Sequence, residues 1–539
     1  MQDIDPSLVS WVSQQSGVAG VDPSLVGAGD WLEWEEELQE GGVELRPTLE
    51  NLIDVVWTAD NGRPPPSYKD IVVAGLEFAG VDWEDKVRER LRPGLAEAGY
   101  DGMVVTELDE VAWLYNLRGE GASHNEGLYH SPTFHSLSLV TQQELILWAR
   151  LDKISPEVRS HLARPGCTDS CVELRDIEHS LKDLTEWLSF HPEISRLLLT
   201  KPSNYLSGAS YAVYSALPDT VAKLDHSPVL QMKAVKNEAE ISGMVEAHIK
   251  DAVAFCDWAA FMEEQIEVLG AENWTEISAA QLLSEYRLEQ ENSRGDSFGT
   301  ISAYGANGAI IHYSPTPDTD AALSTDSLYM VDSGGQYLEG TTDITRTFHY
   351  GTPTDEMKQR YTEVLMGSVA LASVVVPDKT LDTSVDLATR QFLFKQGLNY
   401  RHGTGHGIGA YLEVHEGPTL INMRGSLPGK FTPGIFFSDE PGYYQEGDWG
   451  LRLETILQVV PAELQPGDYG DFIQFQPVTL VPFEPKLIKF SLLSAEQKTW
   501  YNNYNKITRE LVGARLQQQG RDRGYQWLLS RTEAVDLDI

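Results

Sequence analysis

The run GLRLETILQVV, Gly450 to Val460, sets one carboxylate, Glu454, inside an otherwise apolar strand. A strand of this composition faces a core, and a carboxylate taken out of water there needs a counterion or a metal. Any fold open to this chain must therefore bring positive charge to Glu454. Arg452 shares its face by the two-residue alternation of a strand and is one candidate counterion.

Other acids suggest a second answer. In SLYMVDSGGQYLEGTTDITRTFHYG an apolar strand ends at Asp332, a Gly-Gly turn follows, and a second strand alternates through Asp343, Thr345 and Thr347. Two carboxylates then emerge on paired strands, close enough to share a cation, although among 81 acids such a pair also serves in salt bridges or turn caps. In IFFSDEPGYY, Glu440 follows an apolar strand and precedes a Pro-Gly turn that fixes where the strand ends. RHGTGHGIG, Arg401 to Gly409, adds His402 and His406. Two histidines four apart share a helix face in H-E-x-x-H zinc peptidases. Four glycines in these nine residues argue against a helix. His406 then becomes the single nitrogen in a set with Asp332, Asp343, Glu440 and Glu454, which suits two hard or borderline divalent ions. The glycines let the backbone come close to such a site, and His402 need not bind metal.

At 539 residues the chain exceeds one core. NGRPPPS, Asn61 to Ser67, reads as a stiff connector, and the expected division is 1–77, 78–234 and 235–539. The middle part alternates helix-like stretches (Trp83 to Ala98, Ser180 to Phe190) with short apolar strands at Met103 and Leu145, an α/β pattern. A helix patterned on Ile241, Met244, Val245, Ile249, Val253 and Cys256 opens the last part, and a polar amphipathic tail, Trp500 to Leu529, closes it.

With 41 Lys plus Arg against 81 Asp plus Glu, the net charge of −40 argues against binding nucleic acid or anionic membranes. Three cysteines, Cys167, Cys171 and Cys256, cannot form a full disulfide framework and make no zinc module, which fits a reducing compartment. The N-terminal stretch has no apolar core of signal-peptide type, and the most apolar run, Val364 to Val376, is too short to span a bilayer. A soluble cytoplasmic protein is expected.

The five candidate ligands, set in VDSG, TTDITRT, HGTGHGIG, DEPGYY and LRLE, resemble those of the pita-bread metallopeptidases, which include methionine aminopeptidase, prolidase and aminopeptidase P. NGAIIHYSP around His312, EVHEGP around His415, WLYNLRG at Trp113 and KAVKNEAE at Lys233 resemble motifs of the three-domain eukaryotic cytosolic Xaa-Pro aminopeptidases. The resemblance implies an α+β chain with a C-terminal pita-bread (creatinase/aminopeptidase-like) catalytic domain after α/β creatinase-type N-terminal domains. Its activity would be hydrolysis of the bond between any N-terminal residue and a following proline.

The same resemblance implies two divalent ions, most often Mn2+. Asp343 and Glu454 would bridge them, Asp332 would chelate one, and His406 and Glu440 would complete the other. A metal-bridged hydroxide would attack, with Glu440 as proton acceptor. His312 and His415 would hydrogen-bond the substrate and the tetrahedral intermediate, and His402 would line the proline pocket. Tyr444 would sit near the substrate and Arg452 would orient ligands. A homodimer acting on peptides with proline second is implied too. A prolidase-type dipeptidase shares every ligand, and a truncated inactive pita-bread protein is the other alternative. The chain enters the family's first domain partway, so a shortened first domain is expected. Gly299, in SFGTIS, stands where close relatives carry proline.

Overall fold

The computed structural model describes residues 7–48, 50–63, 68–120, 130–163, 171–270, 273–425, 427, 429–464 and 470–537. Pro64 to Ser67 of the NGRPPPS connector, and Cys167, lie outside the described residues. The chain divides into two units, Met1–Lys233 and Ala234–Ile539.

In the first unit a parallel pair, Gly17–Val21 and Val43–Pro47, is joined through helix Ala28–Glu40, whose Trp31 and Leu38 cluster with Val43 and Leu45. A six-stranded mixed sheet follows, ordered Ala222–Asp225, Leu197–Thr200, Gly102–Val105, Ser136–Thr141, Leu145–Ala149 and Val172–Asp176. Gly102–Val105, Leu145–Ala149 and Leu197–Thr200 bury every residue, as continuous apolar runs do in a sheet covered on both faces. The strands expected at Met103 and Leu145 are there, and so is a helix over Ser180–Ser189. Cys171 is disulfide-bonded, so the odd cysteine count does not mean three free thiols. Cys256 is free and buried.

Asn237 opens the second unit's principal helix, Glu238–Glu263. Its side chain accepts the N–H groups of Ala239 and Glu240, while the Glu240 carboxylate reaches back to the Asn237 N–H. The helix is buried nearly all round, and Phe255, Trp258 and Met262 enter a core shared with Phe348, Tyr361 and Trp527. The polar tail forms helices Ala495–Gln518 and Asp522–Arg531, which close the same core through Tyr504, Val512 and Leu528. Among the described residues no helix is long and apolar enough to cross a membrane.

Two antiparallel sheets of this unit carry the acids. One is ordered Ile301–Tyr304, Tyr329–Ser333, Ile344–Phe348. The other runs Val375–Pro377, Phe472–Pro477, Thr455–Pro461, Phe436–Asp439, Gly405–Gly407, Glu416–Ile421. The RHGTGHGIG stretch is not helical, and its glycines permit close strand approach. A Cβ on Gly405 would lie 1.8 Å from the Ser438 carbonyl oxygen, and one on Gly407 2.3 Å from that of Glu416.

Glu454 departs from expectation. It does not lie inside a strand: Trp449–Arg452 ends before it and Thr455–Pro461 begins after it. The apolar run continues across a switch from a two-stranded ribbon, Gly442–Gln445 with Trp449–Arg452, to the six-stranded sheet. Other chain segments satisfy the backbone at the break: the Glu454 N–H donates to the Thr345 carbonyl at 3.0 Å, and Arg346 donates to the Glu454 carbonyl at 2.5 Å.

The close approach at Gly405 predicts that Gly405→Ala destabilises the protein by about 1–3 kcal/mol in urea unfolding. Gly299→Ala, where an added Cβ meets nothing within 4 Å, should stay within about 0.5 kcal/mol.

Candidate metal centre

Strand pairing brings the acids together. Asp332 lies opposite Thr345 and Ser333 opposite Ile344, so Asp343, one residue before its strand, meets the end of the strand that carries Asp332. Asp439 lies opposite Thr455, which sets Glu440 beside Glu454, and Gly407 pairs with Phe437 to bring in His406. The Glu440 N–H is held by the Thr404 carbonyl at 2.8 Å. One ligand atom from each of His406, Glu440 and Glu454 lies within 4.8 Å of the others. The same holds for Asp332, Asp343 and Glu454, and for Asp343, His406 and His415.

The charges in this cluster do not balance. His406 Nε2 lies 3.5 Å from Asp343 and 3.8 Å from Glu440. Its Nδ1 lies 3.0 Å from the Gly407 carbonyl, which can only accept, so Nδ1 carries the hydrogen and Nε2 faces the carboxylates. Burial pulls the His406 pKa down, but the Asp343 hydrogen bond and the Glu440 and Asp343 charges outweigh it and raise it to about 9. Burial, with Asp332 nearby, lifts Asp343 to about 6. Burial also lifts Glu440 to about 7 and Glu454 well above the usual carboxylate range. One imidazolium and one guanidinium face four carboxylates.

The hydrogen bonding shows what is lacking. Asp332 Oδ1, Asp343 Oδ1 and Glu454 Oε1 are buried with no hydrogen-bond partner. Their sister oxygens on Asp332 and Glu454 are taken, by Arg452 at 2.6 Å and by the Thr345 hydroxyl at 2.9 Å. Buried anionic oxygens left bare in a nitrogen-poor donor set fit hard divalent cations.

Arg452 is therefore not the ion-pair partner of Glu454. The break at Leu453 and Glu454 takes the two off a common face, and Arg452 pairs with Asp332 instead. It also donates to the Tyr444 hydroxyl at 2.8 Å and to Thr345 at 3.2 Å. Tyr444 in turn contacts His402 Nε2 at 2.8 Å, while His402 Nδ1 donates to the Gly403 carbonyl at 2.7 Å. Burial first, and then the Arg452 charge, lower His402 to about 3, so it is a neutral acceptor outside every ligand group. His415 packs edge-on to His406 with ring centroids 4.1 Å apart. The His406 charge, with burial second, lowers His415 to about 3. His312 is exposed.

Sequence reasoning missed the Asp386–Arg390 pair, which binds the His402 and Tyr400 carbonyls. Its signal was an Asp and an Arg four apart in the helical run DLATRQFLF.

The chain is similar to known proteins over nearly its whole length. A sequence profile for metallopeptidase family M24 matches residues 242–461, one for the creatinase/prolidase N-terminal domain matches 62–240, and one for the C-terminal region of that peptidase family matches 471–535. The chain is 36% identical to Aminopeptidase P1 of Lotus japonicus, over 99% of this chain and 86% of that protein. It is 37% identical to Xaa-Pro aminopeptidase 2 of Sus scrofa, over 98% and 76% respectively. The X-prolyl aminopeptidase of Caenorhabditis elegans, described as a cytosolic enzyme with a di-nuclear active site, has a TM-score of 0.90. It is 30% identical, over 99% of this chain and 84% of that one.

A carboxyl raised by folding holds more protons folded than unfolded between about pH 4 and 7, and His406, raised to about 9, does so from about 6.5 upward. Both make stability fall as pH rises, and together they outweigh His402 and His415, whose lowered values make it rise up to about pH 6.5. Thermal melts in EDTA should therefore drop by about 2–3 °C between pH 5.5 and 8.5, roughly 2 kcal/mol. Divalent cations, which prefer deprotonated ligands, should abolish or reverse that slope.

Proposed function

This chain belongs to metallopeptidase family M24, and on that premise we propose that it is a metal-dependent Xaa-Pro aminopeptidase, acting on peptides with proline in second place. The observation that carries the chemistry is the convergence of three bare, buried carboxylate oxygens from Asp332, Asp343 and Glu454. Likeness to Xaa-Pro aminopeptidases over nearly the whole chain supports the specificity.

Asp332, Asp343, His406, Glu440 and Glu454 would hold two divalent ions, with Mn2+ as the proposed metal. Such ions supply Lewis acidity, polarising the scissile carbonyl and bringing the pKa of a water near neutral. Glu440 takes the water proton and delivers it to the departing nitrogen as the C–N bond breaks. As in any peptide bond, that nitrogen must gain a proton to leave as an amine, and since proline's carries no hydrogen in the peptide the site cannot hold it through an N–H contact beforehand. His312 and His415, at the exposed side of the cluster, donate hydrogen bonds to the substrate carbonyl and to the oxyanion that replaces it. Neutral His402 offers its ring to the proline. Arg452 and Tyr444 hold Asp332 and His402 in place. The substrate's free amine sits against the carboxylates, which limits cleavage to the first bond, and the trans imide is the isomer cleaved.

The proposed layout is 1–77, 78–234 and 235–539, in a homodimer. A cytoplasmic location is supported by the C. elegans enzyme's description. The disulfide at Cys171 weighs on the other side, since such bonds persist in oxidising compartments.

Purified protein returned to Mn2+ after chelation should release arginine from Arg-Pro-Pro, followed by HPLC. Glu440→Gln should lower kcat by about 10²–10⁴-fold. Cleavage of Arg-Pro but not Arg-Pro-Pro would instead identify a prolidase-type dipeptidase.

A further inference from the structure

Glycine leaves the Arg401–Gly409 stretch with little stiffness of its own, yet it carries two groups with precise tasks. A buried ion pair on helix Asp386–Phe394 holds it. Arg390 Nε lies 2.8 Å from Asp386, and its other nitrogens reach the stretch: one donates to the His402 carbonyl at 2.7 Å, the other to the Tyr400 carbonyl at 2.8 Å. The guanidinium also lies 3.9 Å from the centre of the Tyr400 ring, which packs against the His402 imidazole with centroids 4.8 Å apart.

Asp386 works on the other side of the pair. It accepts the Thr404 hydroxyl and the Met423 N–H. Thr404 is tied by its N–H to Ile421, and its carbonyl receives the Glu440 N–H. All of these partners are backbone groups or a hydroxyl on segments without a helix, so the pair sets geometry where local propensity does not. A buried ion pair adds little net stability over an apolar replacement, whereas a planar fork of donors fixes directions that an ammonium cannot.

We propose that Asp386 and Arg390 are positioning residues for proline recognition and proton delivery. Arg390 sets the His402 imidazole against the proline ring, and Asp386, through Thr404, sets Glu440. The inference rests on the Xaa-Pro aminopeptidase reading above.

The test uses the full chain loaded with Mn2+, with Arg390→Lys and Thr404→Val compared with wild type on Arg-Pro-Pro and with Pro-Pro as product inhibitor. Rates are normalised to folded, metal-replete protein. Arg390→Lys keeps the charge and loses the fork, and should raise both KM and the Pro-Pro inhibition constant at least fivefold. Thr404→Val should lower kcat at least fivefold and leave both constants within twofold. Amide exchange in metal-free protein should quicken over residues 399–406 in Arg390→Lys and stay as in wild type elsewhere. Wild-type kcat and KM in both variants, or equal losses of kcat alone in both, would overturn the proposal. A wild-type protein that releases no arginine would overturn the aminopeptidase reading, and this inference with it.

Discussion

Four carboxylates, Asp332, Asp343 and Glu454 buried and Glu440 half-buried, repel each other where they crowd together, and the architecture of the second unit is arranged around holding them there. Asp332 and Asp343 stand at the ends of one pair of strands, Glu440 and Glu454 at the ends of another. Neither pair is adjacent in sequence to the other, so the sheets themselves overcome the repulsion. Arg452 makes its direct ion pair with Asp332, and Thr345 satisfies one oxygen of Glu454. What remains is a set of bare anionic oxygens whose burial is tolerable with cations and costly without them.

A second ring of groups controls the histidines. Arg452, Tyr444 and His402 form a chain of hydrogen bonds in which each donor is fixed by its neighbour. His402 stays neutral between two guanidinium groups, Arg452 and Arg390. His406, one turn of chain away, faces carboxylates instead and gathers a proton when nothing better is present. In both, the next residue's carbonyl takes Nδ1 and leaves Nε2 to face the site, so two histidines four residues apart do opposite electrostatic work because one Nε2 meets Tyr444 and the other meets carboxylates.

Much of this was legible in the sequence because it rests on local rules. The sequence placed Asp332 on one of two paired strands, with Asp343 falling one residue before the other and not within it, the glycines ruled out a helix around His406, and the Pro-Gly turn placed Glu440 at a strand end. What was not legible depends on long-range pairing. The sequence from Leu451 to Val460 carries no turn residue to mark that the chain changes sheets at Leu453 and Glu454, so alternation gave the wrong partner for Arg452. The Asp386–Arg390 pair reads as an ordinary helix salt bridge until its contacts with His402 and Thr404 are seen. The disulfide at Cys171 is equally invisible to counting, since an odd number of cysteines still permits one bond.

The central claim is that the carboxylate cluster exists to hold two divalent ions. Its most direct measurement is elemental analysis of metal content after chelation, equilibration with excess Mn2+ and dialysis, for wild type and for Asp343→Asn. The account predicts two ions per folded wild-type chain and one or none in the variant, because Asp343 belongs to two of the three groups of converging ligand atoms. A folded wild-type chain that retains one ion or none, or a variant that retains two, would contradict it.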